Sequence, residues 1–334
     1  MKVRRILYFL YYMKELDRAK FRKFLHYAVN VSNRYAFVLC FDILHSSLKY
    51  NISILDYFYF RFYNLNEEER TKWAGTGYLY EYQLHMNPKS ARDVLENKII
   101  FLNRFAAFTK RGFADVSQLK ADEDLLPRML NNKSGRVVIK GSCGQTGSEV
   151  EVVDCIGLTP DSLIKTMKEK GYDLVEEYVV QHPALMELSP SGLNTVRIFT
   201  QLTSDGVDFL GARLRISVNS PVDNMAAGNL AAPVDLESGT VSGPGVYSDI
   251  TKSECNVHPI TKKQITGFKI PFWNEVIKMS IGAALLCPEN RSVGWDIAIT
   301  ENGPELIEGN HNWCKLLWQL PVKQGLKMEL GKYL

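Results

Sequence analysis

The sequence predicts an α+β protein that begins with a helical region. Residues 1–88 contain helical, aromatic-rich segments, whereas two later stretches, 135–154 and 292–310, carry the alternation and turn residues of β-hairpins. Segments with helical periodicity lie between these hairpins. A chain of 334 residues, 46% of them hydrophobic, can form about two or three cores. We expect a helical, basic region at residues 1–88 and two α+β parts at residues 89–180 and 181–334.

Bulk composition indicates a globular protein and points to no special partner. The net charge of +3 gives no sign of nucleic-acid binding. The six cysteines form no cluster with zinc spacing, which favours a reduced, cytoplasmic protein. No apolar run approaches the roughly 20 residues of a membrane-spanning helix. The apolar run at residues 6–13 lacks the small-residue cleavage site of a signal peptide.

Basic and aromatic residues are concentrated in the first 35 residues. Nine basic and two acidic residues give this segment a net charge of +7. The interpretation that we favour is a small helical domain whose rings form its own core. The alternative is a surface that lies on the inner face of the membrane, where basic residues meet anionic lipid and rings reach the headgroups. The rings in question are Tyr8, Phe9, Tyr11, Tyr12, Phe21 and Phe24.

A helix is predicted between Ser90 and Gly112. Ser90 with Asp93 resembles a capping box, and Gly112 supplies a C-terminal stop. Lys98 lies within this helix, away from the centre of its apolar stripe. Taken alone, Lys98 is therefore an ordinary surface lysine.

A glycine-rich hairpin is predicted at residues 135–154. One strand ends in a lysine, the sequence GSCGQTG follows, and a second strand comes next. Glycine leaves backbone N–H groups open to phosphate oxygens, and a lysine adds a point charge. The pattern is not a Walker A loop, and glycines also serve plain turns. The candidate phosphate-binding residues are Lys140, Gly141, Ser142, Gly144 and Gly147.

The strand near residue 175 ends in two acidic residues and a short apolar linker. Glu176 and Glu177 are followed by a tyrosine and then by Val179. Backbone groups of such a linker could hold a planar base. The alternative is an ordinary edge strand.

Arginines interrupt the apolar strands that follow. Arg197 lies in one strand, and Arg213 and Arg215 share a face of the next. Arginine among apolar neighbours needs an anionic partner, which is either a protein carboxylate or a substrate phosphate or carboxylate.

The stretch at residues 292–310 is the most informative. Two strands are joined by a turn that contains Asn302-Gly303. Asp296 lies opposite Trp295 on the first strand, and the alternation places Leu306, Glu308 and Asn310 on one face of the second. Two carboxylates and an amide oxygen on neighbouring strands suit Mg²⁺. A solvated face of an antiparallel sheet is the alternative.

The order of these motifs resembles that of the ATP-grasp superfamily. The order is a lysine on a helix, a lysine before a glycine-rich hairpin, a Glu-Glu strand end and a terminal D…ExN hairpin. The segments LSPSGLNTVRIFT and GWDIAITENGPELIEGN are similar, more narrowly, to the sugar-transfer-associated ATP-grasp proteins, also described as α-L-glutamate ligase-related. The resemblance covers residues 90–315 and is most specific in its C-terminal half.

The resemblance implies roles for the candidate residues. It implies an ATP-grasp fold in which two α+β subdomains hold ATP. By position, Lys98 and Lys140 match phosphate-binding lysines, and residues 141–147 match the loop that closes over the phosphates. One departure is that Gly141 stands where a proline is common. Glu176, with Glu177 beside it, and the backbone near Val179 match the adenine-binding strand end; Asp296, Glu308 and Asn310 match the magnesium ligands; Arg197 and Arg215 match contacts to the γ-phosphate or an acyl phosphate.

The resemblance also implies a reaction. It implies ATP-dependent ligation of an amino-acid carboxylate to an amine through an acyl phosphate, with ATP and Mg²⁺ as cofactors and a sugar or surface-polysaccharide precursor as the modified species. Two alternatives remain: phosphoryl transfer on the same scaffold, and a nucleotide-binding regulatory protein without turnover. The identity of the carboxylate, the amine and the oligomeric state are left open.

Overall fold

The computed structural model describes residues 2–143 and 150–334, and the side chains of all of these except residues 2 and 3. The tip of the glycine-rich hairpin, with Gly144 and Gly147, lies outside the described residues. The predicted α+β class and the helical N-terminal region are confirmed. The helices are α1 Lys2–Lys14, α2 Arg18–Ser32, α3 Ala36–Tyr50, α4 Ile54–Tyr59, α5 Glu67–Thr71, α6 Thr76–Met86, α7 Asp93–Glu96, α8 Lys98–Arg104, α9 Val116–Ala121, α10 Leu125–Leu130, α11 Pro160–Lys170, α12 Pro183–Leu188, α13 Trp273–Leu286, α14 Lys315–Gln319 and α15 Lys327–Gly331.

Two antiparallel sheets carry the rest of the chain. A four-stranded sheet has the order β1-β4-β2-β3, and a five-stranded sheet has the order β7-β6-β5-β8-β9. The strands are β1 Phe113–Asp115, β2 Arg136–Lys140, β3 Val150–Asp154, β4 Leu174–Glu177, β5 Thr195–Thr203, β6 Gly206–Ile216, β7 Leu230–Val234, β8 Ser292–Thr300 and β9 Gly303–Asn310. Both predicted hairpins are therefore present, as β2–β3 and β8–β9.

Helices cover the sheets and create separate cores. One face of the five-stranded sheet packs on α8 and α13, and its other face packs on α6 and α14. The four-stranded sheet packs on α9, α10 and α11. Thr159 followed by Pro160 is a sequence pattern that predicts a helix start, and α11 begins there. The Thr159 side chain caps α11, and Gly171 ends it with a positive φ.

The single helix predicted between Ser90 and Gly112 is wrong. The chain forms two short helices instead, α7 and α8, which are separated at Asn97. The Asn97 side chain accepts hydrogen bonds from the amides of Ile99 and Ile100. This N-cap starts a new helix at Lys98, although the apolar periodicity continues across it. Gly112 does not end a helix but precedes β1, where its amide donates to Glu177.

The N-terminal helices form their own core, as the favoured interpretation proposed. Phe24 is fully buried, and Phe9, Tyr12 and Phe21 pack against the same cluster. Tyr11, by contrast, is exposed. Within the described residues, no helix has both the length and the apolarity needed to cross a membrane. The boundaries predicted at residues 88 and 180 stay predictions.

Candidate active site

The β8–β9 hairpin brings the predicted carboxylates together by strand pairing. Asp296 lies opposite Glu308, and Gly294 lies opposite Asn310. The pairing shifts between Asp296 and Ile297, because Ile297 pairs with Leu306 and leaves Ile307 as an extra residue. This bulge corrects the predicted alternation. Leu306 is buried in the core with Ile297, on the face opposite Glu308 and Asn310.

Two arginines hold Asp296. Arg197 pairs with it across β5 and β8 through both its Nε and Nη2 atoms, and Nη2 lies 2.6 Å from Oδ2. Arg215 on β6 donates from Nη1 to the same Oδ2 at 2.5 Å. Burial acts to raise the pKa of Asp296, but Arg197 and Arg215 outweigh it and lower the pKa overall. Asp296 is therefore an anion at neutral pH, and both arginines predicted to meet phosphate lie beside it.

Arg215 also contacts an acidic residue that the sequence analysis missed. Its Nη2 lies 2.6 Å from Oδ1 of Asp223, which belongs to the loop after β6. The other oxygen of Asp223 accepts hydrogen bonds from the amide and hydroxyl of Thr195. Burial and the charge of Asp296 raise the pKa of Asp223, against the opposing effect of Arg215. The buried arginines thus have carboxylate partners before any substrate binds, and Asp223 fixes the direction of Arg215.

Among the described residues Arg213 pairs with carbonyl groups and with no carboxylate, which corrects the expectation that each arginine meets an anion. It is buried and donates from Nε to the carbonyl of Trp318 at 3.1 Å and from Nη1 to the carbonyl of Ala212 at 2.7 Å. Burial lowers the pKa of Arg213 to about 9. The hydrogen bond to Trp318 attaches α14 to the five-stranded sheet, so Arg213 has a role in the packing of the fold.

Glu308 is the more accessible of the two hairpin carboxylates. Its side chain is 52% exposed, and Oε1 lies 3.8 Å from Nη2 of Arg197. Asn310 lies beside it, with Nδ2 at 3.1 Å from Oε1. The surrounding protein and the charge of Asp296 raise the pKa of Glu308. Two adjacent carboxylates with only partly neutralised charge attract a cation.

The residues of this hairpin fit a magnesium ion by the chemistry of their donors. Asp296, Glu308 and Asn310 offer carboxylate and amide oxygens, and Mg²⁺ is commonly bound by one or two carboxylates together with substrate phosphates. Rotation of the Asn310 amide would present its oxygen in place of its nitrogen. Among residues 2–143 and 150–334, no group of three or more His, Cys, Asp or Glu side chains is placed to hold a metal ion. The donors of this hairpin are two carboxylates and one amide.

A second charged cluster lies at the foot of the glycine-rich hairpin. Nζ of Lys140 lies 2.5 Å from Oε1 of Glu176, and Nε of Arg111 lies 2.6 Å from Oε2. Arg111 reaches across to Oε1 of Glu305 on β9 at 2.7 Å. Burial acts to raise the pKa of Glu176, but Arg111 and Lys140 lower it to about 2. No pattern in the sequence points to Arg111 or Glu305, because their contacts join residues that are distant in the chain.

Lys98 lies at the start of α8, next to the hairpin. Its Nζ donates to the carbonyl of Gly141 at 2.8 Å, and its own amide donates to the carbonyl of Ser142. Asp173 holds Ser142 through the amide and the hydroxyl, both at 2.6 Å. The structure thus brings Lys98 next to Gly141 and Ser142, which directly follow Lys140 in the chain. Asn97 is a common N-cap residue, and this sequence signal could have placed Lys98 at the first position of a helix instead of in its middle.

Glu177 and Val179 follow Glu176 at the end of β4. The carboxylate of Glu177 accepts from the amide of Gly112, which attaches β4 to the segment before β1. Tyr178 lies under the guanidinium of Arg136, 3.9 Å from the ring centroid. Val179 is half-buried and stands outside the regular strand. These contacts order the linker that was predicted to hold a base, and that role stays a prediction.

One hairpin connects the two clusters. Glu305 on β9 pairs with Arg111, which also pairs with Glu176, the partner of Lys140. Three residues further along β9, Glu308 lies opposite Asp296 and near Arg197. A lysine-bearing glycine hairpin on one sheet and a carboxylate hairpin on another are the parts of an ATP-grasp protein. The family model for sugar-transfer associated ATP-grasp matches residues 79–333, and the chain belongs to that family.

Several solved structures are similar to the chain. They include D-alanine–D-alanine ligase from Bacillus anthracis, with 11% identity, a TM-score of 0.41 and coverage of 72% of this chain and 67% of that one. An L-amino acid ligase from Bacillus licheniformis shows 13% identity and a TM-score of 0.39, over 66% of this chain and 41% of that one. The ATP-grasp ligase PsnB, in complex with a variant of its minimal precursor, Mg and ADP, shows 14% identity and a TM-score of 0.38, over 74% and 60%.

The chain is shorter than many of these proteins. It spans 41% of the amino acid ligase. It spans 45% and 47% of two carboxyaminoimidazole ribonucleotide synthetases. No curated protein matches the sequence. The family match therefore carries the assignment.

Proposed function

We propose that this protein is an ATP-dependent carboxylate–amine ligase that forms an amide and releases ADP and phosphate. The observation that carries the proposal is the β8–β9 hairpin, which joins a metal-suited pair, Asp296 and Glu308, to the charged cluster around Lys140. A reaction that moves a phosphoryl group needs cations at the phosphates and oxygen ligands for magnesium in one site. The family to which the chain belongs supports this reading.

The side chains have distinct tasks in the proposed reaction. Lys98 and Lys140, with the amide of Gly141, would bind the phosphates of ATP, and the end of β4 would hold adenine. The amide of Ser142 would join them once it leaves the carboxylate of Asp173. Asp296, Glu308 and Asn310 would hold Mg²⁺, which would neutralise phosphate charge when bound. Arg197 and Arg215 would stabilise the charge that develops as the substrate carboxylate attacks the γ-phosphate. The pairing of both arginines with Asp296 keeps them oriented until the phosphate arrives.

The proposed chemistry has two balanced steps. A carboxylate oxygen of the substrate attacks the γ-phosphorus, the bond to the β-γ bridging oxygen breaks, and ADP leaves. An amine then attacks the acyl carbon, loses a proton and expels inorganic phosphate. No covalent bond to the protein forms, so the residues bind and orient but supply no nucleophile. Water must be kept from the acyl phosphate, which the glycine-rich hairpin would do by closing.

The substrates are proposed from the family alone. Its description as sugar-transfer associated suggests that the carboxylate or the amine belongs to a sugar or surface-polysaccharide precursor, and that an amino acid is the other partner. We propose in addition that the enzyme acts in the cytoplasm, where ATP and activated sugars are found.

Product analysis tests the proposal. The purified protein is incubated with ATP, MgCl₂, a mixture of the common amino acids and a mixture of amino sugars, and products are followed by phosphate release and mass spectrometry. Ligation predicts ADP, inorganic phosphate and a new amide in equal amounts. A phosphorylated product without free phosphate would show phosphoryl transfer instead. ATP binding without ADP release, when extracts of surface-glycan precursors are also supplied, would indicate a regulatory protein.

A further inference from the structure

The outer faces of α1 and α3 are apolar and exposed. Leu10 on α1 is 58% exposed and Phe41 on α3 is 72% exposed. The two helices pack against each other, and Arg5 of α1 donates from Nη1 to the carbonyls of Leu48 and Lys49 at the end of α3. The exposed apolar side chains of this surface, which we call the α1–α3 face, are Ile6, Leu7, Leu10, Tyr11 and Met13 on α1 and Phe37, Val38, Phe41 and Leu44 on α3.

These side chains are additional to the core of the N-terminal region. The opposite side of α3 contributes Leu39, Ile43 and Tyr50 to that core, and α1 contributes Phe9 and Tyr12. Both helices are thus apolar on two sides, although a helix at the surface of a soluble domain needs only one apolar side. Exposed apolar groups that extend over neighbouring helices mark an interaction surface.

Basic residues accompany this face. Lys14 lies at the end of α1, Arg18 and Arg22 lie on α2, and Arg34 precedes α3; all four are exposed. None of the four forms an ion pair with another residue in the part of the chain that the structure describes. Asp17, one of the two acidic residues in the first 35, already caps α2 by accepting from the amide of Lys20. Glu15, the other acidic residue, is exposed beside Lys14, so these four basic residues leave a net positive charge on α1, α2 and the residues between the helices.

We propose that the α1–α3 face docks on an anionic membrane surface. Lipid supplies the two things that the face lacks, an apolar phase for the leucines and phenylalanines and negative charge for the free lysine and arginines. A second copy of the chain would supply only the first, because a two-fold contact would bring the same positive charges together. The face lies before residue 79, where the family match begins, so the family's common chemistry does not account for it.

The α1–α3 face consists largely of other residues than the surface that the sequence-based hypothesis named. That hypothesis relied on rings within residues 1–35, of which Phe24 is fully buried and Phe9, Tyr12 and Phe21 are packed on the core. Tyr8 is half-buried, with its ring beside those of Tyr12 and Tyr80, and Tyr11 is exposed. On α3, Phe37 and Phe41 provide further exposed aromatic groups. The proposal is independent of the ligase chemistry.

Vesicle sedimentation of the full chain tests the proposal. Vesicles of phosphatidylcholine alone are compared with vesicles that also contain phosphatidylglycerol, at low and high salt. The double variant Leu10→Asp, Phe41→Asp should reduce binding to anionic vesicles by about tenfold or more, because two large apolar side chains are lost. The double variant Arg18→Glu, Arg22→Glu should reduce binding to anionic vesicles by about fivefold or more for each residue, because each loses its attraction to the anionic lipid. Ile156→Asp, at a residue that is 94% exposed outside the face, is the matched control and should bind like the wild type.

Each result has a defined meaning. Preference for anionic vesicles that salt weakens and that only the face variants lose supports the proposal. Equal, negligible binding to both vesicles overturns it. A dimer in analytical ultracentrifugation that Leu10→Asp, Phe41→Asp dissolves, or equal binding to polyglutamate, overturns it in favour of a second copy or an acidic protein. Circular dichroism and ATP turnover in solution confirm that the variants are folded.

Discussion

Glu308 and Asp296 are paired on one hairpin but differ in what they can bind. Asp296 is buried between Arg197 and Arg215, which occupy its oxygens. Glu308 is half exposed; its Oε1 atom accepts a hydrogen bond from the neutral amide of Asn310 and lies 3.8 Å from Nη2 of Arg197. We infer that Glu308 is the carboxylate more readily available to a cation, whereas Asp296 would share a cation with the arginines that it orients.

The first prediction concerns Glu308. The substitution Glu308→Gln should abolish ATP turnover and leave the fold intact, because a neutral amide of the same size cannot neutralise magnesium charge. Coupled detection of ADP measures the turnover, and circular dichroism checks the fold. Glu301→Gln, in the exposed turn of the same hairpin, is the control and should keep full activity. ADP release at the wild-type rate by Glu308→Gln would refute the metal assignment.

The second prediction concerns Lys140. Lys140→Ala should weaken ATP binding by about 1.5–3 kcal/mol, the range for a hydrogen bond to a charged group. Glu176 keeps Arg111 as a partner in this variant, so the fold should survive. Isothermal titration calorimetry measures the affinity, with Lys133→Ala on the exposed segment before β2 as the control. Unchanged affinity would mean that Lys140 serves only to neutralise Glu176.

At the scale of elements, the β8–β9 hairpin needs a glycine at position 309, because Trp295 of β8 and Leu95 of α7 both pack closely against it. A Cβ atom on Gly309 would lie 2.7 Å from Cζ3 of Trp295 and 2.9 Å from Cδ2 of Leu95. Both neighbours belong to the core against which the hairpin packs. Gly309 stands between Glu308 and Asn310, so its close packing holds the two candidate ligands in place.

The third prediction follows from this packing. Gly309→Ala should lower the free energy of unfolding by about 1–3 kcal/mol, the cost of overpacking a core. Urea denaturation followed by tryptophan fluorescence measures the change. Gly331→Ala is the control, because nothing lies within 4 Å of a Cβ atom there and its backbone is not in the left-handed region. A loss of stability as large in Gly331→Ala would show that the packing argument is wrong.

At the scale of the whole molecule, the Arg111 cluster connects the two sheets. Glu176 and Lys140 belong to the four-stranded sheet, and Glu305 belongs to the five-stranded sheet. Arg111 contacts both glutamates and lies in the segment before β1. Loss of either glutamate leaves buried positive charge uncompensated, which is costly.

The fourth prediction is a pH dependence of stability. The pKa of Glu176 is lowered to about 2 from 4.5 in the folded protein. Its stabilising effect, about 3 kcal/mol by linkage, is therefore complete above pH 4.5 and is lost as the pH falls towards 2. Glu176→Gln should be less stable than the wild type at neutral pH, and the difference should shrink on acidification. Urea denaturation across this pH range measures it.

The control for this prediction is Glu187→Gln. Glu187 forms an exposed ion pair with Lys263, so its loss should change stability little at any pH. A difference between Glu176→Gln and the wild type that is constant from neutral to acidic pH would contradict the role of the ionised carboxylate.

The sequence determined the local parts of this protein. Turn residues and alternation predicted both hairpins, and the Thr159 cap predicted α11, because these signals act between neighbouring residues. The order of motifs predicted the family, and the family match confirms it. Local signals failed where two of them competed, as at Asn97, whose cap divided a helix that apolar periodicity predicted as continuous.

The tertiary structure alone decided which charges meet. Arg197 and Asp296 are 99 positions apart, and only the pairing of β5 with β8 places them side by side. Arg111 and Glu305 meet because two sheets approach each other, and the bulge at Ile307 sets Leu306 and Glu308 on opposite faces. Ion pairs and strand register depend on distances between segments, which no periodicity within a segment encodes.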